Sequence, residues 1–131
     1  MRIQTTIDYA VRILRHIYLY QKCSTQSIVD TVDVPLHSVN QILSRLKRSG
    51  LLIHTKGEDG GYQLSRPLEE ISLYDIYTGV KGELRISRCL ADGRQCYYGE
   101  MEECKMNKAM RSLQGKMIEE MSGMMLADLV L

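Results

Sequence analysis

Between Pro35 and Ser65 the chain reads PLHSVNQILSRLKRSGLLIHTKGEDGGYQLS, and its periodicity changes halfway along. Leu36, Val39, Ile42, Leu43 and Leu46 recur at helical spacing behind Pro35, a residue that favours a helix start, and Gly50 stands where such a helix should end. LLIH and YQLS then flank the glycine-rich TKGEDGG, a pattern that predicts two short strands and a tight turn. A helix delivered straight into a hairpin leaves few architectures open.

The preceding residues narrow the choice. Ile3, Ile7, Ala10, Val11, Leu14, Ile17 and Tyr18 mark an amphipathic helix over 3–20, with Thr5 and Asp8 spaced as a capping box at its start. Ser24 is placed to cap a short helix running to Thr31, with Ile28 and Val29 facing inward. After Pro67, ISLYDIYTGV reads as one more short helix. Helix, helix, turn, helix and hairpin is the order of a winged helix-turn-helix. The expected fold class is therefore mainly α with a small β-hairpin wing, followed by a long C-terminal helix.

The second helix of such a motif enters the major groove of DNA and presents its N-terminal polar residues to base edges. Here these are His37, Ser38, Asn40 and Gln41, with Arg45 and Arg48 placed further along to hold phosphate. At the wing, Lys56 can sit over a phosphate, and Gly60 and Gly61 can let the backbone approach the duplex, although a tight turn alone also calls for glycine. Glu58 and Asp59 at the tip oppose close phosphate contact. The formal net charge of +1 conceals an asymmetry that fits double-stranded DNA as partner. Residues 1–66 carry nine Lys/Arg against five Asp/Glu, and residues 67–131 carry eight against eleven.

A different chemistry follows in CLADGRQCYYGEMEEC, where Cys89, Cys96 and Cys104 fall within sixteen residues. The opening MRIQTTIDYA lacks a signal peptide's apolar stretch and no run is long enough to span a membrane, so a cytoplasmic protein is expected. Thiols clustered in that compartment serve as metal ligands or redox sensors more often than as disulfides. Arg88, Arg94 and Lys105 flank them, a setting that favours the thiolate form required for ligation. Cys23, remote and among core positions, reads as a buried apolar side chain. From Lys105 onward Met106, Met110, Leu113, Met117, Met121 and Met124 form an apolar seam that calls for a partner helix and hence a homodimer. The expected division is a winged helix-turn-helix domain over 1–79, a cysteine loop over 80–104, and a dimerisation helix with its C-terminal segment over 105–131.

These pieces together resemble the Rrf-two family of bacterial winged-helix transcription regulators. MRIQTTIDYAVRIL, VNQILSRLKRSGLL, KGEDGGYQLSRP, ISLYDIYTGV, the three cysteines and the closing LADL follow the family's order over nearly the whole chain. The resemblance implies a homodimer on a palindromic operator, generally a repressor, with crossed C-terminal helices and an iron-sulfur cluster on the three cysteines. TTIDYAVR is similar to the matching stretch of the family's nitric-oxide-sensitive repressors, where an aspartate completes a 4Fe-4S cluster from the other subunit. This makes Asp8 the leading fourth ligand and 4Fe-4S the favoured cluster, with 2Fe-2S as the alternative. Glu102, Glu103, Asn107, a small thiol and water stay open for the fourth position. Two departures stand out. Family wings commonly read R-G-x-G-G-G-Y where this chain has KGEDGGY, and the cluster-assembly branch has a histidine where this chain has Asn107.

The alternatives are a zinc- or disulfide-responsive regulator of the same fold, for example through Cys89 and Cys96, and a small redox module that never touches DNA. An enzyme is the weakest reading. The chain shows no nucleophile-base pair, phosphate loop or cofactor fingerprint, and His16, His37 and His54 are scattered.

Overall fold

The structure, a computed structural model, describes residues 4–90 and 104–131. Five helices and a hairpin carry the fold in the order α1 (Gln4–Tyr20), α2 (Thr25–Val32), α3 (Leu36–Arg48), β1 (Leu52–Thr55), β2 (Gly61–Leu64), α4 (Leu73–Lys81) and α5 (Lys105–Gly123). A short α6 (Leu126–Val130) closes the chain, and single 3-10 turns lie at Leu68–Glu70 and Arg88–Leu90. This is a mostly helical winged helix-turn-helix.

One aliphatic core joins these elements. Ile13, Leu14 and Ile17 of α1 meet Ile28 of α2, Ile42, Leu43 and Leu46 of α3, Ile76 of α4 and Leu126 of α6, all almost fully buried. Each such side chain contributes about 1.5–3 kcal/mol relative to exposure. With no Phe or Trp in the chain, branched aliphatics supply nearly all of this. Leu36, expected on the inner face, is instead exposed, because the first turn of α3 overhangs the core. The start of α1 also differs from expectation. The helix is already formed at Gln4, so Thr5 lies inside it, and Asp8 pairs with Arg12 at 2.8 Å one turn on.

Helix ends are set by local chemistry. Ser24 Oγ accepts a hydrogen bond from Ser27 N at the start of α2. Ser72 and Asp75 form a reciprocal capping box at α4. At the end of α3, Gly50 N donates to Lys47 O and Leu51 N to Leu46 O, with Gly50 at φ +86°. That pair of bonds is a Schellman motif, and it turns the chain directly from α3 into β1.

The wing is an antiparallel pair in which Leu52 faces Leu64 and Thr55 faces Gly61. Its inner edge is paired as well. Cys23 N donates to Tyr62 O at 3.0 Å and Tyr62 N to Cys23 O at 2.7 Å, so the link between α1 and α2 acts as a one-residue third strand. Cys23 is buried, as its sequence context predicts, and burial pushes its thiol pKa up.

His16 is 6% exposed, with Nε2 3.4 Å from Ser27 Oγ and its ring 4.7 Å from that of Tyr20. Desolvation holds its pKa below the ordinary 6.5. The unfolded chain therefore takes up the proton first: this contribution to stability is complete above the unfolded pKa and is lost as pH falls from there toward the lower folded value. Denaturant midpoints at pH 7.5 and pH 5.5 (about one unit to either side of the reference value) should drop less for His16→Gln than for the unmodified protein.

Candidate nucleic-acid interface and cysteine site

The candidate groove-reading surface is a face of α3 together with the wing. Val39, Ile42, Leu43 and Leu46 anchor the inner side of α3. Their spacing leaves His37, Asn40, Gln41, Ser44 and Arg48 exposed on the other, with Ser38 half-buried at the boundary. Lys47, in the last turn, is exposed too and adds a cation that the sequence pattern did not single out. Lys56 lies exposed just beyond β1.

Three residues expected to contact DNA also have work inside the fold. Arg45 is half-buried and its Nη1 donates to Val80 O at 3.0 Å, bonding α3 to the last turn of α4. A Cβ on Gly60 would stand 2.1 Å from Thr55 O. On Gly61, at φ +144°, it would stand 2.7 Å from Cys23 O. Both glycines are thus required by the turn and by the Cys23–Tyr62 pairing, whatever lies outside the wing.

The cysteine site assembles around the start of α5. Cys104 is the N-cap residue, and its Sγ accepts from Asn107 N at 3.4 Å. Asn107, 4% exposed, donates from Nδ2 to Cys89 O at 3.3 Å, and Arg111 Nη2 donates to Asn107 Oδ1 at 3.5 Å. Cys89 Sγ lies 3.1 Å from Ser87 Oγ. Hydrogen bonds from Ser87 and then Asn107, helped by the Arg111 charge, pull the Cys89 pKa below its usual value. Two of the three predicted cysteines are therefore bonded to one buried residue, Cys104 through the Asn107 backbone N–H and Cys89 through its side-chain amide, and Arg111 supplies charge support that sequence reading assigned to the flanking cations. Cys96 lies outside the described residues, as do Arg94, Glu102 and Glu103.

Half-buried thiols at a helix N-terminus beside a guanidinium are a suitable donor set for iron and sulfide. Asp8 is elsewhere on this chain, half-exposed and paired with Arg12. Among the described residues, no group of three or more His, Cys, Asp or Glu side chains gathers within a single subunit.

The methionine seam divides. Met117 and Met121 pack inward with Ile118, whereas Met106 and Leu113 are exposed. Gln114 Oε1 accepts from Ile86 N at 3.0 Å, so Asn107, Arg111 and Gln114 form a polar stripe at i, i+4 and i+7 facing the Cys89 segment. The methionine repeat obscured this stripe in the sequence, although its helical spacing was there to be found. No described helix is long and apolar enough to cross a membrane.

A groove-reading helix, a wing at its end and a distal thiol site define a helix-turn-helix transcriptional regulator. The family model for Rrf2, described as an iron-dependent transcriptional regulator, matches residues 3–131. The chain belongs to the Rrf2 family. It is 31% identical over 133 residues to ORF2 of Azotobacter vinelandii, by its name a candidate HTH-type transcriptional regulator, covering 99% of this chain and 79% of that protein. Among solved structures it is similar to T. potens IscR, with TM-score 0.71 and 20% identity over 99% of this chain and 86% of that one. It is also similar to CymR, the global cysteine regulator of B. subtilis, with TM-score 0.69 and 23% identity over 99% and 96%. At these identities the two structures speak for the fold.

Proposed function

We propose that the protein is a homodimeric regulator, acting as a repressor, whose affinity for a palindromic operator is governed by an iron-sulfur cluster on Cys89, Cys96 and Cys104. The carrying observation is the convergence of Cys89 and Cys104 on Asn107 at the head of α5, a helix whose other end is packed into the DNA-binding core. When bound, the cluster supplies a redox-active, nitric-oxide-reactive group; 4Fe-4S suits three thiolates plus one exchangeable ligand, with 2Fe-2S as the alternative.

Asp8 of the partner subunit takes the fourth position in this reading. Its pairing with Arg12 is a surface ion pair worth about 0–1 kcal/mol, so Asp8 can leave Arg12 at little cost. With Asp8 engaged, α1 of one subunit is tied to the cysteine loop of the other. With Asp8 released, it returns to Arg12 and the two α3 helices change their separation, which must match half-sites one helical turn apart. Met106 and Leu113, exposed on α5, supply apolar surface for the subunit contact.

His37, Ser38, Asn40 and Gln41 read bases, and Arg48 and Lys56 hold phosphate. In duplexes selected from a random pool, Asn40→Ala or Gln41→Ala should cost about 1–3 kcal/mol and relax preference at one base position. Arg48→Ala should weaken binding to all duplexes alike and reduce the salt slope by about 1.

A second reading, a thiol-responsive regulator, is favoured by the lowered pKa of Cys89. Anaerobic isolation and native mass measurement decide between the two. Iron and sulfide on the dimer, with operator binding that changes under nitric oxide, support the cluster. A colourless protein carrying zinc or no metal, and refusing reconstitution, supports the rival.

A further inference from the structure

Asn107 has no need to be polar for the helix it occupies. Asparagine is a mediocre helix former, and this one is the third residue of α5 yet almost completely buried. Its hydrogen bonds run outward from the helix to chemistry-bearing neighbours. The backbone N–H reaches Cys104 Sγ, Nδ2 reaches Cys89 O, and Oδ1 receives Arg111. Removing a buried amide from such a set leaves its partners unsatisfied, so the contacts hold one another in place.

Arg111 and Gln114 extend the contact along the same face. Gln114 takes the N–H of Ile86, and Arg85 Nη1 donates to Leu90 O within the segment itself. The Cys89 segment is thereby laid along the first three turns of α5 by polar side chains, where purely apolar packing would leave its register undefined. Cys89 and Cys104 stand well apart in the chain. Bringing such a pair together costs chain entropy, and a clamp that does so beforehand removes that cost from ligand capture.

We propose that Asn107 is the positioning residue of the cysteine site, a buried amide clamp that holds Cys89 against Cys104 before any metal arrives. The inference rests on the thiolate-site reading above, but its test is made on the metal-free protein. Asp is nearly isosteric with Asn and better suited to the first turn of a helix, where a carboxylate is favoured. A purely structural role for position 107 therefore leaves Asn107→Asp neutral or stabilised. A clamp is broken by it, because the carboxylate cannot donate to Cys89 O and would repel that carbonyl.

The experiment uses full-length, reduced, metal-free protein carrying Cys96→Ser. Dibromobimane, which fluoresces when both arms have reacted, reports bridging of Cys89 to Cys104. Monobromobimane measures single-thiol reactivity, and mass mapping identifies the bridged peptide. The ratio of bridging to single alkylation should fall on the order of tenfold in Asn107→Asp, with the melting temperature unchanged or raised. Asn107→Ser, which suits a helix's first turn but cannot reach Cys89 O, should fall likewise and serves if the Asp variant does not fold. A ratio equal to that of the parent in either folded variant overturns the clamp. Iron analysis of anaerobically isolated parent protein keeps the two ideas apart: metal-free parent with normal bridging overturns the cluster reading and leaves the clamp standing.

Discussion

Serine at Cys104 is expected to leave the fold intact while abolishing iron binding. The thiol of Cys104 is the N-cap group of a 19-residue helix, accepting the N–H of Asn107. Serine is among the best N-cap residues and its hydroxyl accepts the same bond, so Cys104→Ser should hold or gain up to about 1 kcal/mol of stability. A hydroxyl is a poor ligand for iron and sulfide, which take thiolates. Iron content after anaerobic isolation should therefore fall from that of the unmodified protein to near background, while the circular dichroism melt stays in place or rises. Operator binding should persist in the variant but cease to respond to nitric oxide. Retention of full iron by the serine variant would show that Cys104 is no ligand.

The second large effect falls on the wing. Gly61→Ala should destabilise the protein by on the order of 3 kcal/mol, since the site combines an unfavourable φ with an unyielding backbone neighbour. The added Cβ would lie 2.7 Å from Cys23 O and 2.9 Å from Cys23 C, and neither atom can move without breaking the pairing to Tyr62. Gly115→Ala is the matched control. It sits within α5 with nothing inside 4 Å of the new Cβ, so the same change there should stabilise by about 0.5–1 kcal/mol. Opposite signs for the two alanines in one set of denaturant titrations would confirm that Gly61 is a packing requirement. A Gly61→Ala protein as stable as its parent would remove the third-strand role assigned to Cys23.

The elements legible in the sequence were those whose ends are marked by single residues. Ser24 caps α2, Pro35 and Gly50 bracket α3, and Gly60 and Gly61 lie at the turn of the wing, so the winged helix-turn-helix could be read in order. Periodicity was less informative where a helix has different surroundings along its length. The stripe rule assigned Leu36 to the inner face, yet it is exposed, and the seam expected to meet a partner helix splits: Met117 and Met121 pack on this chain's own core, while Met106, Leu113 and Met124 are exposed. Long-range partners were not legible at all. Arg45 and Gly61 resemble DNA-contacting residues by type, and only the placement of Val80 and Cys23 shows what they do at home. Asn107 was missed as an organiser because its partners Cys89 and Arg111 lie on either side of it in the chain, at separations of 18 and 4 residues.

The Schellman turn at Gly50 leaves no free joint between α3 and the hairpin beside it. In the proposed dimer each half would behave like one fixed jaw of a pair of calipers. An incoming signal has nothing to bend within a jaw, so it must act by setting the gap. Variants that alter the pivot should therefore change which spacing of half-sites is tolerated, while the bases preferred inside each half-site stay the same.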